Sequence, residues 1–139
     1  MKIVVDTNVL ISAFLTEGTS KDVVDVVLGM GCSVLSPYIL DEFRDTLRSK
    51  KFGFPAHVVE GFVGYLKKYS ALKQEDTKIF AECPDPEDQK ILSLCHTVHA
   101  DLLITGDAAL LAMKRSGKTL IIPPNRLWEA IRKIQKTLP

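Results

Sequence analysis

Residues 3–8, Ile3-Val4-Val5-Asp6-Thr7-Asn8, constrain this chain more than any other stretch. Three β-branched residues with no polar break predict a strand buried on both faces, the environment found inside a parallel sheet. That strand ends in a carboxylate. In open α/β sheets ligands occupy the crevice outside the carboxyl ends of the strands, so Asp6 falls at the edge where chemistry is usually done. Asp6 or Asn8 also reads as the cap of a helix beginning near Val9, and taken alone that is the simpler account. The balance changes because the chain repeats the placement.

With 139 residues, 46% of them hydrophobic and 25% charged, the chain has the size and composition of one soluble domain spanning 1–139. A net charge of +1 is too small to imply a polyanionic partner by itself, so any nucleic-acid site has to come from local clustering. The start lacks a signal-peptide pattern, and no stretch approaches the roughly 20 apolar residues of a membrane span. The expectation is a cytoplasmic protein with no membrane partner. Cys32, Cys83 and Cys95 are odd in number and widely spaced, which suits free thiols in a reducing compartment.

Further along, Val9, Leu10, Ile11 and Phe14 predict a short helical turn closed by Glu17-Gly18. Ser20 reads as the cap of a helix carrying Val23, Val24, Val27 and Leu28, ended by Gly29 and Gly31. Residues 32–35 predict a second strand. Ser36-Pro37 restarts a helix with the serine as cap and the proline at its first position, where a missing N–H costs nothing. Ile39, Leu40, Phe43 and Leu47 form its stripe. Glu42 lies beside that stripe, as a solvated margin residue or as a site residue. Arg48-Ser49-Lys50-Lys51 closes the helix, where the macrodipole favours cations. Val58, Val59, Phe62, Val63, Leu66 and Tyr69 predict a strongly amphipathic helix that pairs with the preceding one as a hairpin.

The least legible stretch is 72–83, with an edge strand expected around Ile79-Phe80. Asp85-Pro86-Glu87-Asp88 is clearer: Asp85 caps a helix, Pro86 opens it, and Asp88 completes a capping-box-like arrangement. Capping covers Asp85 and Glu87 better than Asp88, which shares the face of Ile91 and Leu92. An inward carboxylate there needs a cation, a donor or a metal, because an unpaired buried charge is costly. Leu102-Leu103-Ile104-Thr105 predicts another strand, and Gly106-Asp107 turns into a helix. Thr119–Ile122 predicts the last strand, and Leu127, Trp128, Ile131 and Ile134 an amphipathic final helix.

Alternation of strands and helices implies a parallel sheet covered on both faces. Asp6 and Asp107 then lie at the carboxyl edges of two strands, and Glu42 and Asp88 lie early in helices starting from the same edge. Crowded carboxylates repel and raise one another's pKa unless they share cations. Oxygen ligands without His or Cys select a hard ion, Mg²⁺ or Mn²⁺, and favour chemistry at phosphate.

The chain resembles the PIN-domain nucleases, and within them the VapC-like toxins of toxin-antitoxin pairs. The matching residues are Val4-Val5-Asp6-Thr7-Asn8-Val9-Leu10, Glu42, Asp85-Pro86-Glu87-Asp88 and Leu103-Ile104-Thr105-Gly106-Asp107. The resemblance implies an α/β fold, a PIN-like three-layer α/β/α sandwich with a mainly parallel sheet of about five strands. It implies a metal-dependent endoribonuclease whose catalytic quartet is Asp6, Glu42, Asp88 and Asp107. Asn8, Asp85 and Thr105 are supporting residues, and the hairpin from about Ser36 to Ala71 serves dimerisation and antitoxin contact.

On this reading, water bound to Mg²⁺ or Mn²⁺ hydrolyses a phosphodiester, with Asp6, Asp88 and Asp107 holding the ion. Water attack leaves a 5′-phosphate and a 3′-hydroxyl. Arg44, Arg48, Lys50 and Lys51 are the candidate RNA-binding cations, with Lys114 and Arg115 behind them. Three other readings compete. A phosphoacceptor receiver domain needs adjacent acids after the first strand and a lysine after a later one, and both are missing. A binding module of the same fold, without catalysis or a toxin role, is the alternative from another class. A zinc site from Cys95, His96 and His99, with Cys83, conflicts with the place of Cys95 in an apolar stripe.

Overall fold

The computed structural model describes residues 1–76, 80, 83 and 85–137. β1 (Ile3–Val5) lies in the middle of a six-stranded sheet, with β2 (Ser33–Leu35) and β4 (Leu102–Ile104) as parallel neighbours. β3 (Ala71–Leu72) extends the sheet beside β2, and β6 (Thr119–Ile122) lies beside β4, both again parallel. The last edge is the antiparallel β5 (Arg115–Ser116), joined to β6 by a tight turn in which Gly117 has φ +58°, a conformation glycine adopts without strain. The order is β3-β2-β1-β4-β6-β5.

Every side chain of β1, β2 and β4 is buried, because helices cover both faces and leave none of the alternation of a one-sided sheet. Parallel neighbours cannot be joined by a hairpin, so each connection returns through helices. These are α1 (Thr7–Leu15), α2 (Thr19–Gly29), α3 (Pro37–Arg48), α4 (Ala56–Lys68), α5 (Pro86–Val98), α6 (Ala108–Met113) and α7 (Leu127–Thr137), the last preceded by a 3₁₀ turn. The result is the expected three-layer α/β/α sandwich, with six strands where about five were anticipated.

Several local expectations change. The first helix is a full nine residues, because it starts directly on Asp6. Ser20 does not cap α2; the helix starts at Thr19 behind Gly18, which supplies no side-chain bond. The strand anticipated around Ile79-Phe80 lies outside the described residues at Ile79, and the edge strand on that side is β3. Ser36 caps α3 as expected, its Oγ accepting from Ile39 N at 3.2 Å, with Pro37 next. Ser36→Ala leaves that N–H buried and unpaired, and is expected to cost about 1 kcal/mol of stability, read as a shift in urea midpoint at unchanged m-value.

α1, α3 and α4 meet through aromatic rings. Phe14 packs edge-on to Phe43 at 5.6 Å between centroids and lies 4.9 Å from Phe62, and Tyr65 and Tyr69 continue the run to the surface. Nearly half of Tyr65 remains exposed.

Candidate active site

The carboxyl edge of the sheet is held in register by main-chain bonds one residue beyond the strands. Asp6 N donates to Ile104 O at 2.8 Å, and Thr105 N to Ile122 O at 3.0 Å. Asp6 and Thr105 are therefore fixed side by side. Thr105, fully buried, donates its hydroxyl to Asp6 Oδ2 at 2.7 Å, while Thr105 Oγ1 itself accepts from Asp107 N at 3.0 Å. Asp6 Oδ1 accepts from Thr7 N at 2.7 Å. One hydroxyl thus ties together the two acids that follow β1 and β4.

Asp6 is also the cap of α1, so the capping and chemical readings coexist in one residue. Burial raises its pKa, the Thr105 and Thr7 bonds oppose that, and the nearby Glu42 and Asp107 charges raise it further. Asp107 caps α6, its Oδ1 accepting from Ala109 N at 2.9 Å.

Asp88 departs most from a capping role. Asp85 already accepts from Glu87 N at 2.9 Å, and Asp88 is buried on the inner face of α5. Its carboxyl interacts with that of Asp107, and its pKa is pushed up to about 7. Burial is the largest cause, followed by the bond to Asp107 and the charges of Asp107, Asp85 and Asp6. Among the described residues, no Lys or Arg forms an ion pair with Asp6, Glu42, Asp88 or Asp107. Glu42, half-buried on α3, accepts from the Tyr38 hydroxyl at 3.3 Å. Burial and then the charges of Glu42, Glu87 and Asp85 hold Tyr38 strongly in its neutral form.

The structure therefore gathers the four acids into one electrostatic neighbourhood. It does not close them into a cage: among the described residues no three His, Cys, Asp or Glu side chains converge as a ready-made metal site. The reason lies in their present partners. Asp6 is turned to Thr105, Asp107 to Ala109 N, and Asp88 to Asp107. A buried acid whose pKa is raised by burial and by the acids around it is nonetheless the environment a hard divalent cation would relieve. Thr7 Oγ1, beside Asp6, is buried without a hydrogen-bond partner among the described residues. The residues present fit such an ion.

The other expected residues divide. Asn8 is exposed on α1. Arg44 does not offer a free charge to RNA: its guanidinium bonds Glu60 Oε2 at 2.9 Å and Asp41 Oδ1 at 3.2 Å, joining α3 to α4. Arg48, Lys50 and Lys51 are exposed, but Arg48 lies about 9 Å further along α3 than Glu42 at 1.5 Å per residue. The zinc alternative loses its key ligand, because Cys95 is buried in the core and its thiol is pushed up to about 12, chiefly by burial. Tyr38 and Lys90 were not anticipated. Tyr38 had a sequence signal, four residues before Glu42 on one helical face; Lys90 had none, since its partner is on another helix.

Acids gathered at the carboxyl edge of a mainly parallel sheet place this chain among α/β proteins whose functional groups lie at the strand ends. The chain belongs to the PIN-domain family, whose model, described as PIN domain, matches residues 2–109. PIN domains are generally nucleases acting on RNA, and they usually employ divalent metals. No curated protein and no solved structure matched the chain. No described helix is long and apolar enough to cross a membrane.

Proposed function

We propose that this chain, as a single PIN domain over 1–139, is an endoribonuclease that hydrolyses RNA phosphodiester bonds with Mg²⁺ or Mn²⁺. The observation that carries the reading is Asp88, a buried carboxyl among the charges of Asp107, Asp85 and Asp6 that has no ion pair among the described residues. Asp6, Asp88 and Asp107 would hold the ion, which when bound makes water more acidic and neutralises charge on the phosphoryl oxygens. Glu42 orients the attacking water or completes the acidic ring. Thr105 favours the ionised form of Asp6 by donating to it, against the effect of burial, and fixes the Asp107 main chain. Asp85 supports the site by starting α5 so that Asp88 points inward. Asn8 stands at the rim, beside the path of the substrate.

We further propose a toxin role in a type II toxin-antitoxin pair, in the cytoplasm. The α3–α4 hairpin, with Phe62, Tyr65 and Tyr69 extending the aromatic run to the surface, is the face proposed for a homodimer and an antitoxin protein. Purified protein is expected to cleave single-stranded RNA with Mg²⁺ or Mn²⁺, to stop on addition of EDTA, and to leave 5′-phosphate and 3′-hydroxyl ends. Cyclic phosphate ends or cleavage surviving EDTA would contradict the hydrolytic mechanism. Binding of RNA without cleavage of any tested RNA would favour a non-catalytic module. Growth arrest on induced expression, relieved by the product of an adjacent small gene, tests the toxin role separately.

A further inference from the structure

Among the described residues, a lysine is linked to the acidic pocket through an aromatic ring. Lys90, two residues after Asp88 on α5, holds Nζ 4.5 Å from the centroid of the Tyr38 ring on α3. The hydroxyl of that ring donates to Glu42 Oε2 at 3.3 Å. Ammonium, ring and carboxylate thus form a chain across the gap between two helices, ending on one of the four acids.

Lys90 differs from the cations that are held in ion pairs, and its ring, unlike those beside Lys51 and Lys68, belongs to another helix and leads to one of the four acids. Lys21, Arg44, Lys118, Arg126 and Lys133 each face a carboxylate within 4.0 Å. Lys90 is exposed and, among the described residues, has no ion pair, although Glu87 precedes it by one helical turn. An aromatic face attracts an ammonium through its quadrupole and does not cancel the charge as a carboxylate would. The ring therefore fixes the position of Lys90 and leaves its charge available to an anion from solution. Arg44, by contrast, is committed to Glu60.

We propose that Lys90, positioned by Tyr38, binds an RNA phosphate neighbouring the scissile linkage. The proposal rests on the nuclease reading above and gives it a cation that draws the polyanionic strand against an acidic pocket. Tyr38 is a positioning residue; Lys90 makes the contact.

The test measures wild type, Lys90→Met, Lys90→Arg, Tyr38→Leu and Tyr38→Phe in two assays. One is steady-state cleavage of a short single-stranded RNA; the other is anisotropy of the same labelled RNA in EDTA across a salt series. Lys90→Met is expected to weaken RNA binding about 5–10-fold and to reduce the salt slope of log K by about 0.7, the loss of one single-strand phosphate contact. The cleavage defect is expected to fall on KM rather than kcat. Lys90→Arg restores affinity, and Tyr38→Phe, which keeps the ring, recovers what Tyr38→Leu loses. An unchanged slope and KM in Lys90→Met, with wild type cleaving normally, overturns the proposal and leaves the nuclease reading intact. RNA binding with a Lys90-dependent slope but no cleavage overturns the nuclease reading and leaves the phosphate contact standing. Tyr38→Leu that binds like wild type removes Tyr38 from the proposal.

Discussion

Asp88→Asn is expected to abolish cleavage, by about a thousandfold or more, while making the metal-free protein more stable at pH 8. The two effects have one cause. In the folded protein Asp88 titrates near 7, against 3.8 as its ordinary value, chiefly because it is buried. Folding therefore favours the protonated acid: its stabilising contribution is present below pH 3.8 and is lost as pH rises through about 7. At pH 8 the ionised Asp88 is a buried charge among like charges. Asparagine has a similar shape, does not titrate, and can donate to Asp107 as the neutral acid does. Relief on the order of 2 kcal/mol is expected at pH 8, a rise in melting temperature of about 5 °C. At pH 5 the two proteins should melt close together. Mg²⁺ or Mn²⁺ is expected to raise the melting temperature of wild type at pH 8 and leave Asp88→Asn where it was, since the amide is a poor ligand for a hard ion. Thermal melts at the two pH values, with and without metal, check all of this. A variant that melts lower than wild type at pH 8, or that cleaves RNA normally, would remove Asp88 from the centre of the site.

This conflict between stability and function explains which parts of the site were legible. Asp6 and Asp107 follow uninterrupted apolar strands, so their edge position is written in the local pattern. Ser36-Pro37 and Asp85-Pro86 announce helix starts in the same local way, and both serve as caps. Asp88 was ambiguous because a capping box and an inward acid occupy the same position in sequence. What decides between them is Asp107, brought in from a different strand end. β3 and β5 have two residues each, too few to express a period, and exist because β2 and β6 offer them a partner. Arg44 reads in sequence as part of a basic patch, whereas Glu60, on the next helix, takes its charge. Lys90 is the converse, a surface lysine to the eye whose surroundings are set by α3.

Thr105→Val is expected to lower cleavage about 10–100-fold and to destabilise the protein by roughly 1–3 kcal/mol, with Thr105→Ser close to wild type in both. Valine fills nearly the same space, so packing around β4 survives while both polar contacts vanish. Asp6 Oδ2 loses its donor at 2.7 Å in a buried place with little water to replace it, and Asp107 N loses its acceptor at 3.0 Å. The direction of the pH response separates this from a general loss of folding. Because the Thr105 bond lowers the Asp6 pKa against the effect of burial, removing it raises that pKa further. A proton then leaves Asp6 only at higher pH, and the acid limb of the cleavage profile moves upward. Thr105→Ser keeps the hydroxyl and should keep the limb where wild type has it. If Thr105→Val lowered activity uniformly across pH, or the serine variant lost as much as the valine, the hydroxyl would be only a packing element. The coupling of Asp6 to Asp107 would then have to run through the main chain alone.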